Sequence, residues 1–407
     1  MIEFEEELNQ RLSALREQNL FRELRRIDSP QSPHVEIGGK PFLNFSSNDY
    51  LGLANDPLLR EAAIEAVKQF GVGSGSSRLI CGSLAPHHQL EEALADFKKT
   101  EAALVFSTGY AAALGTICAL AGKDDILIAD KLIHASIIDA ARLSGAKIRI
   151  FAHNDLDDLE KILKWATTKP VSGVWLAKES PRVFIVTESV FSMDGDFAPL
   201  REIVELKEKY GAWLMVDEAH ATGIFGKEGR GFAESCGVAD RIEIQMGTLG
   251  KAFGASGGYI AGSRRLIDYL INRARSFIFS TAPVSAAAAA ATCAVHFVKS
   301  KSGDDRRHSL WQRVAELQAR LNLQNTKASA IVPLLLGEEK KAIETATALR
   351  ALGILIPAIR YPTVARGAAR LRITVTATHS EGDIKQLHSA LANLGLLSDE
   401  KPRPSNA

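Results

Sequence analysis

The stretch Thr248-Leu249-Gly250-Lys251-Ala252-Phe253-Gly254 follows an apolar, strand-like run at 242–246. Lys251 is therefore expected on a tight turn at the end of a strand, with small residues close to it on both sides. Such a lysine is restricted in motion, partly desolvated and open to a ligand, which suits an amine that acts as a nucleophile and moves protons. Taken alone, the stretch favours a surface lysine in a glycine-rich loop, because such turns are common.

A second stretch, upstream of the first, favours a functional role for Lys251 over that of a surface lysine. Four apolar residues, Trp213-Leu214-Met215-Val216, run directly into Asp217, with His220 three residues later. The pattern predicts a buried parallel strand with a carboxylate at its C-terminal end, the edge at which open α/β sheets bind ligands. A carboxylate there needs a cationic partner, such as a protonated ring nitrogen. An Asp that caps the next helix is the alternative, and His220 is placed to reach the same crevice.

The surrounding chain alternates strand-like runs with helical patterns. We expect about seven strands in a mainly parallel sheet covered by helices on both faces. The runs are 103–106, 126–129, 148–151, 183–187, 213–216, 242–246 and 259–261. Beyond Pro283, an Ala-rich helix, a charged helix at about 304–323 and short strands near 330–336, 354–357 and 370–376 predict a smaller C-terminal α+β domain. The expected division is an N-terminal segment 1–46, a large α/β domain 47–285 and a C-terminal domain 286–407.

The N-terminal segment shows helical spacing. An amphipathic helix that ends at Arg25-Arg26 is predicted from the spacing of Leu8, Leu12, Leu15 and Leu24. A hairpin is predicted at Gly38-Gly39. Further on, the Gly- and Ser-rich segment 71–78 lacks the Gly-Lys-Ser/Thr ending of a phosphate loop, and no clear strand precedes it. We therefore interpret it as a flexible wall of the active site near a subunit boundary.

Composition excludes several classes of function. The 407 residues carry a net charge of +1 with mixed signs, which argues against nucleic-acid and anionic-membrane partners. Four scattered cysteines indicate neither disulfides nor a metal site, and suit a reducing cytoplasm. The N-terminus is acidic where a signal peptide would be basic, and no stretch approaches the about 18 apolar residues of a membrane helix. We expect a cytoplasmic protein.

An anion site is predicted where Ser107-Thr108-Gly109-Tyr110 follows a strand and opens an apolar helix. Backbone N–H groups and the helix dipole converge there, and Gly109 permits close approach. An ordinary helix start is the alternative. Thr248 would add a hydroxyl group.

Together these motifs resemble the α-oxoamine synthases, a family of fold type I, aspartate aminotransferase-like enzymes that use pyridoxal 5′-phosphate. The resemblance covers nearly the whole chain. It rests on NFSSNDYLGL at 44–53, FSTGY at 106–110, HAS at 134–136, ESVFSMDGD at 188–196, VDEAH at 216–220 and TLGK at 248–251.

The resemblance implies roles for single residues. Lys251 would hold the cofactor, Asp217 would keep its ring nitrogen protonated and His134 would lie on the face of the ring. Catalytic roles are expected for Lys251, His134, Asp217 and His220. Cofactor contacts are expected from Gly109, Tyr110, His134, Glu188, Ser192, Asp217, His220, Thr248, Lys251 and, from the partner subunit of a homodimer, Thr281 or Ser280.

Substrate contacts are implied in the same way, for Arg25, Asn48, His134, Arg360 and Thr363. Arg370 and Arg372 alternate along a predicted strand and share a face, so one of them could pair with a substrate carboxylate; structural salt bridges are an equal alternative. Ala368 stands where the family often has Thr, which leaves the details of acyl recognition open.

The implied activity is a decarboxylative condensation of an amino acid with an acyl thioester. The segments 272–281 and 360–364 resemble those of family members that use L-alanine and a pimeloyl group carried by CoA or by acyl carrier protein, so the resemblance implies these substrates. A sister enzyme that uses glycine and acetyl-CoA is the nearest alternative, because both need the same catalytic motifs. A non-catalytic scaffold subunit of this fold is a remote one, since Lys251, Asp217 and His134 are all present.

Overall fold

The computed structural model describes residues 3–168, 181–323 and 328–397. Within them the helices α1 to α14 are Phe4–Glu17, Pro57–Phe70, Ala85–Lys98, Gly109–Leu120, Ala135–Ser144, Leu156–Thr168, Leu200–Tyr210, Phe232–Cys236, Arg264–Arg273, Arg275–Ile278, Ser285–Lys299, Lys301–Arg320, Glu339–Ala351 and Glu381–Asn393. The strands β1 to β13 are His34–Ile37, Lys40–Asn44, Ala102–Phe106, Ile126–Asp130, Lys147–Phe151, Val183–Glu188, Trp213–Asp217, Ile244–Thr248, Gly258–Gly262, Ile331–Gly337, Ile354–Leu355, Ala358–Ile359 and Ala369–Thr374.

The chain divides into two compact units. The small unit comprises Met1–Tyr50, Met193–Gly195 and His308–Ala407, and the large unit comprises Leu51–Ser192 and Asp196–Arg307. The boundaries of these two units differ from those of the three predicted segments. The predicted segment boundaries stay a prediction. Of the helices in the part of the chain described, none is long and apolar enough to cross a membrane.

The large unit is built on a seven-stranded sheet in the order β3-β9-β8-β7-β6-β4-β5. All neighbouring strands are parallel except that β9 runs antiparallel to both β3 and β8. The predicted mainly parallel, seven-stranded sheet is confirmed. Both predicted bounds of β8 are wrong: the strand is Ile244–Thr248 rather than 242–246, because a 3-10 turn at Ala239–Arg241 lies just before it.

Alternating side chains of the strands pack on both faces of this sheet. On one face, Leu127 and Val186 pack in a cluster with residues of α4, α5 and α9. On the other face, Ile128 and Ile185 pack with residues of α6 and α7. Because both faces are largely apolar and covered, the acidic residues of the central strands β4, β6 and β7 lie at the strand ends.

The carboxyl ends of four parallel strands bring such polar residues together. β4 ends at Asp130, β6 at Glu188, β7 at Asp217 and β8 at Thr248. Glu188 and Asp217 are register partners on neighbouring strands. The edge predicted to bind a ligand therefore carries several titratable groups.

The small unit contains two three-stranded sheets, β1-β2-β11 and β10-β13-β12. The predicted hairpin at Gly38-Gly39 is confirmed, with Ile37 opposite Lys40. The predicted end of the first helix is wrong. α1 ends at Glu17, because Asn19 adopts a left-handed conformation with φ of 58°, and Leu24 is fully exposed beyond it.

Candidate active site

Lys251 lies in the nine-residue loop 249–257, which joins the antiparallel strands β8 and β9. The Leu249 amide donates to the Gly257 carbonyl and the Ala255 amide to the Leu249 carbonyl, both at 2.9 Å. Gly254 has a φ of +61°, and a Cβ there would lie 2.4 Å from the Ala54 nitrogen. The backbone on both sides of the lysine is therefore closely constrained.

The Lys251 amine is held by His220. The Nζ atom lies 2.7 Å from His220 Nε2, and His220 is buried just beyond the end of β7. The lysine itself is half-buried. The structure thus brings together two residues that the sequence predicted for one crevice.

Asp217, at the end of β7, is buried, and its Oδ1 accepts a hydrogen bond from the Ala219 amide at 2.9 Å. Burial raises the pKa of the Asp217 carboxyl, and the charge of Lys251 opposes that rise. Because the buried Asp217 carboxylate is poorly solvated, any cation that comes close stabilises its charged form. The site therefore favours a positively charged ligand group next to Asp217.

Glu188 is the register partner of Asp217 and is also buried. Its carboxyl group accepts hydrogen bonds from the backbone amides of His134 and Ser192. Burial, followed by the neighbouring Asp217 carboxylate, raises the pKa of Glu188 well above its ordinary value. The Glu188 Oε1 atom has no hydrogen-bond partner within the described residues. A buried polar atom left in this state is destabilising, so a polar ligand group is favoured nearby.

His134 caps the N-terminus of α5. Its Nδ1 accepts from the Ser136 amide at 3.2 Å and lies 2.8 Å from the Ser136 hydroxyl. Burial lowers the pKa of the His134 imidazole, although the Asp217 carboxylate acts against this change. Because Nδ1 accepts a backbone hydrogen bond, the neutral ring carries its proton on Nε2. Its capping role does not prevent the Nε2 edge from meeting a ligand.

The N-terminus of α4 has the features of the predicted anion site. Thr108 caps it by accepting from the Ala111 amide at 3.0 Å, while the amides of Gly109 and Tyr110 precede the helical hydrogen-bond ladder. A Cβ on Gly109 would approach the Thr248 side chain to 3.9 Å. The missing side chain leaves a cradle between the helix end and Thr248. The Tyr110 hydroxyl donates to Asp139 at 2.9 Å.

Thr281 is exposed and forms an isolated bridge with Ser77. The next residue, Ala282, donates its amide to the Ser76 carbonyl at 3.0 Å. The segment 71–78 is therefore paired with the chain around Thr281.

The expected substrate residues Arg25, Asn48, Arg360 and Thr363 all belong to the small unit. Arg360 donates to the carbonyl oxygens of Asn19 and Phe21 at 2.8 and 2.6 Å. Thr363 is exposed, and its amide bonds to the Arg360 carbonyl at 3.0 Å.

Four arginines form a group in the small unit that we call the arginine cluster: Arg22, Arg25, Arg350 and Arg360. Burial and then Arg350 lower the pKa of Arg25, although the Glu23 carboxylate acts against this change, and burial, Arg22 and Arg25 lower the pKa of Arg360. Like charges held close together favour an anion between them. The sequence did not indicate Arg22 or Arg350, because no local spacing connects them with Arg360.

Arg370 and Arg372 take up structural pairings. Arg370 is buried in an ion pair with Asp194. Arg372 donates to Asn48 Oδ1 at 3.0 Å and to Thr374 Oγ1 at 2.8 Å. The salt-bridge alternative is therefore confirmed for Arg370.

Comparison with known proteins gives consistent results. The model of the family "Aminotransferase class I and II" matches residues 40–391. The 8-amino-7-oxononanoate synthase of Geotalea daltonii is 47% identical over 388 residues, which are 94% of this chain and 96% of that one. Among solved structures, a serine palmitoyltransferase from S. paucimobilis with a bound PLP–myriocin aldimine has a TM-score of 0.86 and 30% identity, over 96% of this chain and 98% of that one. An 8-amino-7-oxononanoate synthase from Francisella tularensis has a TM-score of 0.70 and 28% identity, over 87% and 98%.

Proposed function

Because this chain belongs to the class I and II aminotransferases and, within them, to the 8-amino-7-oxononanoate synthases, we propose that it makes 8-amino-7-oxononanoate for biotin biosynthesis. It condenses L-alanine with a pimeloyl thioester and releases CO₂ and the free thiol of CoA or of acyl carrier protein. The observation that carries the proposal is the 2.7 Å contact of Lys251 Nζ with His220 Nε2, next to the buried carboxyl of Asp217.

The groups at the sheet edge fit pyridoxal 5′-phosphate, the cofactor of this enzyme. An amine at Lys251 suits its aldehyde, a buried carboxylate at Asp217 suits its ring nitrogen, and the N-terminus of α4 with Thr248 suits its phosphate. The cradle at Gly109 gives the phosphate room. When bound, the cofactor withdraws electrons from the α-carbon of the amino acid.

The chain's own residues move and hold the protons. The Lys251 amine takes the Cα proton of L-alanine and returns a proton to that carbon after CO₂ has left. His220 orients this amine through the 2.7 Å contact. With the cofactor bound, Asp217 would hold a proton on the ring nitrogen, Ser192 and His220 would contact the phenolic oxygen, and His134 would cover the face of the ring.

The acyl substrate is the point on which related functions differ. A pimeloyl chain ends in a carboxylate, and the arginine cluster is suited to such a group. A palmitoyl chain ends in an uncharged methyl group, which the positive charges of the arginine cluster do not stabilise. Serine palmitoyltransferase activity is nevertheless a second candidate, because the structure of such an enzyme matches with a TM-score of 0.86. The 47% identity to an 8-amino-7-oxononanoate synthase favours 8-amino-7-oxononanoate synthesis over it. The acetyl group of 2-amino-3-ketobutyrate CoA ligase likewise has no distal charge.

We place the active enzyme in a cytoplasmic homodimer. Val72, Leu79, Ile80, Phe279 and Val284 are exposed apolar residues of the large unit, on two segments that the Ser77–Thr281 bridge joins. A second copy of the chain would cover them and bring Thr281 to the partner's phosphate site. All four cysteines, which lie in the described residues, are free thiols and suit a reducing compartment.

The test combines spectroscopy with substrate choice. The purified protein should show the yellow band of a lysine-bound pyridoxal, and release CoA from pimeloyl-CoA only with L-alanine. Lys251→Ala should lose the band and the activity, whereas Lys227→Ala, a change at an exposed lysine, should keep both. Faster release from palmitoyl-CoA with L-serine, or from acetyl-CoA with glycine, would assign the chain to the corresponding relative instead.

A further inference from the structure

His153, a histidine outside the proposed cofactor contacts, lies between two carboxylates. Its Nδ1 is 2.9 Å from Asp130 Oδ1 and its Nε2 is 2.7 Å from Asp196 Oδ2. A ring whose two nitrogens both donate to carboxylates carries a positive charge. Burial acts against that charge, but the hydrogen bonds to Asp130 and Asp196 outweigh it and raise the pKa of His153 to about 10.

The two carboxylates lie on different loops at the carboxyl edge of the sheet. Asp130 ends β4, four residues before His134, and Asp196 follows Ser192 by four residues. His153 itself comes shortly after β5. One imidazolium therefore joins the loop that carries His134 to the loop that carries Ser192.

Further hydrogen bonds stiffen this connection. Asp130 also accepts from the Leu132 amide at 2.7 Å and from the Asn154 amide at 3.0 Å. The Asn154 side chain donates to Asp196 Oδ2 and to the Phe197 carbonyl, each at 3.2 Å. The Asp130 carboxyl is thus satisfied on both oxygens.

The imidazolium of His153 is important because the Asp130 carboxylate that it pairs with is buried. The side chain of Asp130 is 0% exposed, so its charge depends on a cationic partner. A neutral ring has only one N–H and could donate to only one of the two carboxylates, so it would no longer join them. Charge-assisted bonds of this kind are short and directional, and hold their partners in a narrow range of positions.

We propose that His153 is a positioning residue. Its imidazolium, held between Asp130 and Asp196, fixes the loop of His134 relative to the loop of Ser192, and so aligns the histidine and the hydroxyl group on the cofactor ring. The inference rests on the cofactor site proposed above, and not on the choice of substrates.

The test compares two ion pairs that join the same neighbouring strands, β4 and β6, at opposite edges. At the amino edge, Arg182 donates to Asp125 at 2.9 and 2.7 Å. His153→Gln removes the charge at the carboxyl edge, and Arg182→Gln does the same at the amino edge. For each holoenzyme the measurements are the visible circular dichroism of the bound cofactor, the Kd of pyridoxal phosphate, and kcat and KM for L-alanine.

His153→Gln should change the dichroism band, weaken cofactor binding and lower kcat by about 10- to 100-fold, because small misplacements of reacting groups have effects of this size. Its KM for L-alanine should change far less. Arg182→Gln should lower thermal stability and leave the other quantities close to those of the wild type.

Three results would overturn the inference. The first is a folded His153→Gln enzyme with unchanged dichroism and kcat, and the second is the same losses in Arg182→Gln. If His153→Gln does not fold, Asp196→Asn, which leaves the Asp130 pair intact, must show the spectral change, and its absence is the third. A wild-type protein that takes up no pyridoxal phosphate would overturn this inference and the proposed function together, whereas the three results above leave the proposed function standing.

Discussion

Two carboxyl groups lie side by side at the end of neighbouring strands, and only one can be charged at low free-energy cost. Burial raises the pKa of both Asp217 and Glu188, and the neighbouring Asp217 carboxylate raises that of Glu188 further. The charge of Lys251 acts more directly on Asp217, for which it is the second-largest influence. We therefore infer that Asp217 carries the negative charge and Glu188 stays protonated.

This assignment predicts opposite results for two isosteric changes. Asp217→Asn should lower kcat by about 100-fold or more, because it removes the charge that stabilises a protonated ring nitrogen. Glu188→Gln should keep most of the activity, since the amide oxygen still accepts from the amides of His134 and Ser192. Steady-state thiol release measures both variants. An equal loss in Glu188→Gln would show that the charge is shared or resides on Glu188.

At the scale of elements, a buried ion pair fastens the end of α3 to the turn after β7. Lys98 Nζ lies 2.6 Å from Glu218 Oε2, and both side chains are at most 2% exposed. The other oxygen of Glu218 accepts from the Ala233 amide at 2.8 Å. Because Glu218 follows Asp217 directly, this pair also holds the strand end that carries the proposed counter-ion.

Removing the cation should be costly. Lys98→Met leaves Glu218 buried without its charge partner and should lower the free energy of unfolding by about 3–5 kcal/mol. Lys99→Met is the matched control, because Lys99 is exposed and its pair with Asp96 lies at the surface, where such pairs contribute about 0–1 kcal/mol. Urea unfolding of the two variants gives the comparison. Equal shifts would contradict the importance of the buried pair.

A second element-scale contact holds a neutral histidine in the small unit. His379 Nε2 donates to the Asn44 carbonyl at 3.2 Å, and Nδ1 accepts from the Thr376 amide at 3.0 Å. The ring stacks on Phe45 with a centroid separation of 4.3 Å. Burial lowers the pKa of His379 from 6.5 to about 4.

Stability should therefore depend on pH in a definite direction. Between pH 6.5 and about 4 the unfolded chain binds a proton at His379 that the folded chain does not. The contribution is complete above pH 6.5 and is lost as the pH falls, by about 3 kcal/mol in all. Free energies of unfolding measured across this range for the wild type and His379→Gln should diverge in slope. Parallel curves would show that His379 does not titrate as described.

On the scale of the whole molecule, the exposed apolar residues of the large unit predict self-association. Ile80 is 79% and Phe279 is 70% exposed, a degree of exposure that is unfavourable for large side chains grouped on one surface. Ile80→Glu should shift the protein to monomers in sedimentation and lower activity, because each phosphate site would lose its partner's Thr281. Leu143→Glu is the control, since Leu143 is 70% exposed on α5. Dimers that persist in Ile80→Glu would place the interface elsewhere.

Sequence patterns predicted the parts of this fold that depend on neighbours in the chain. Each of the seven strands lies within about two residues of its predicted run, since burial on both faces leaves a plain apolar signal. The position of Lys251, Asp217 and His220 at one edge of the sheet was predictable because strand ends converge there. The arginine cluster and the pairs of His153 were not, because they join residues far apart in sequence whose local surroundings are ordinary. α1 was predicted too long because the leucine spacing continues past Asn19, where the backbone turns.

The hairpin that carries Lys251 has a consequence for how the chain can change in length. Most connections between strands of the large sheet contain a helix, and an added residue can be accommodated in the turns at the ends of that helix. The loop 249–257 instead joins strands whose register pairs Thr248 with Gly258. One inserted or deleted residue would have to bulge the loop or slip β9, and a slip turns every β9 side chain to the opposite face of the sheet. Substitutions can be accommodated in this loop more readily than gaps, so homologous chains should align through it without interruption.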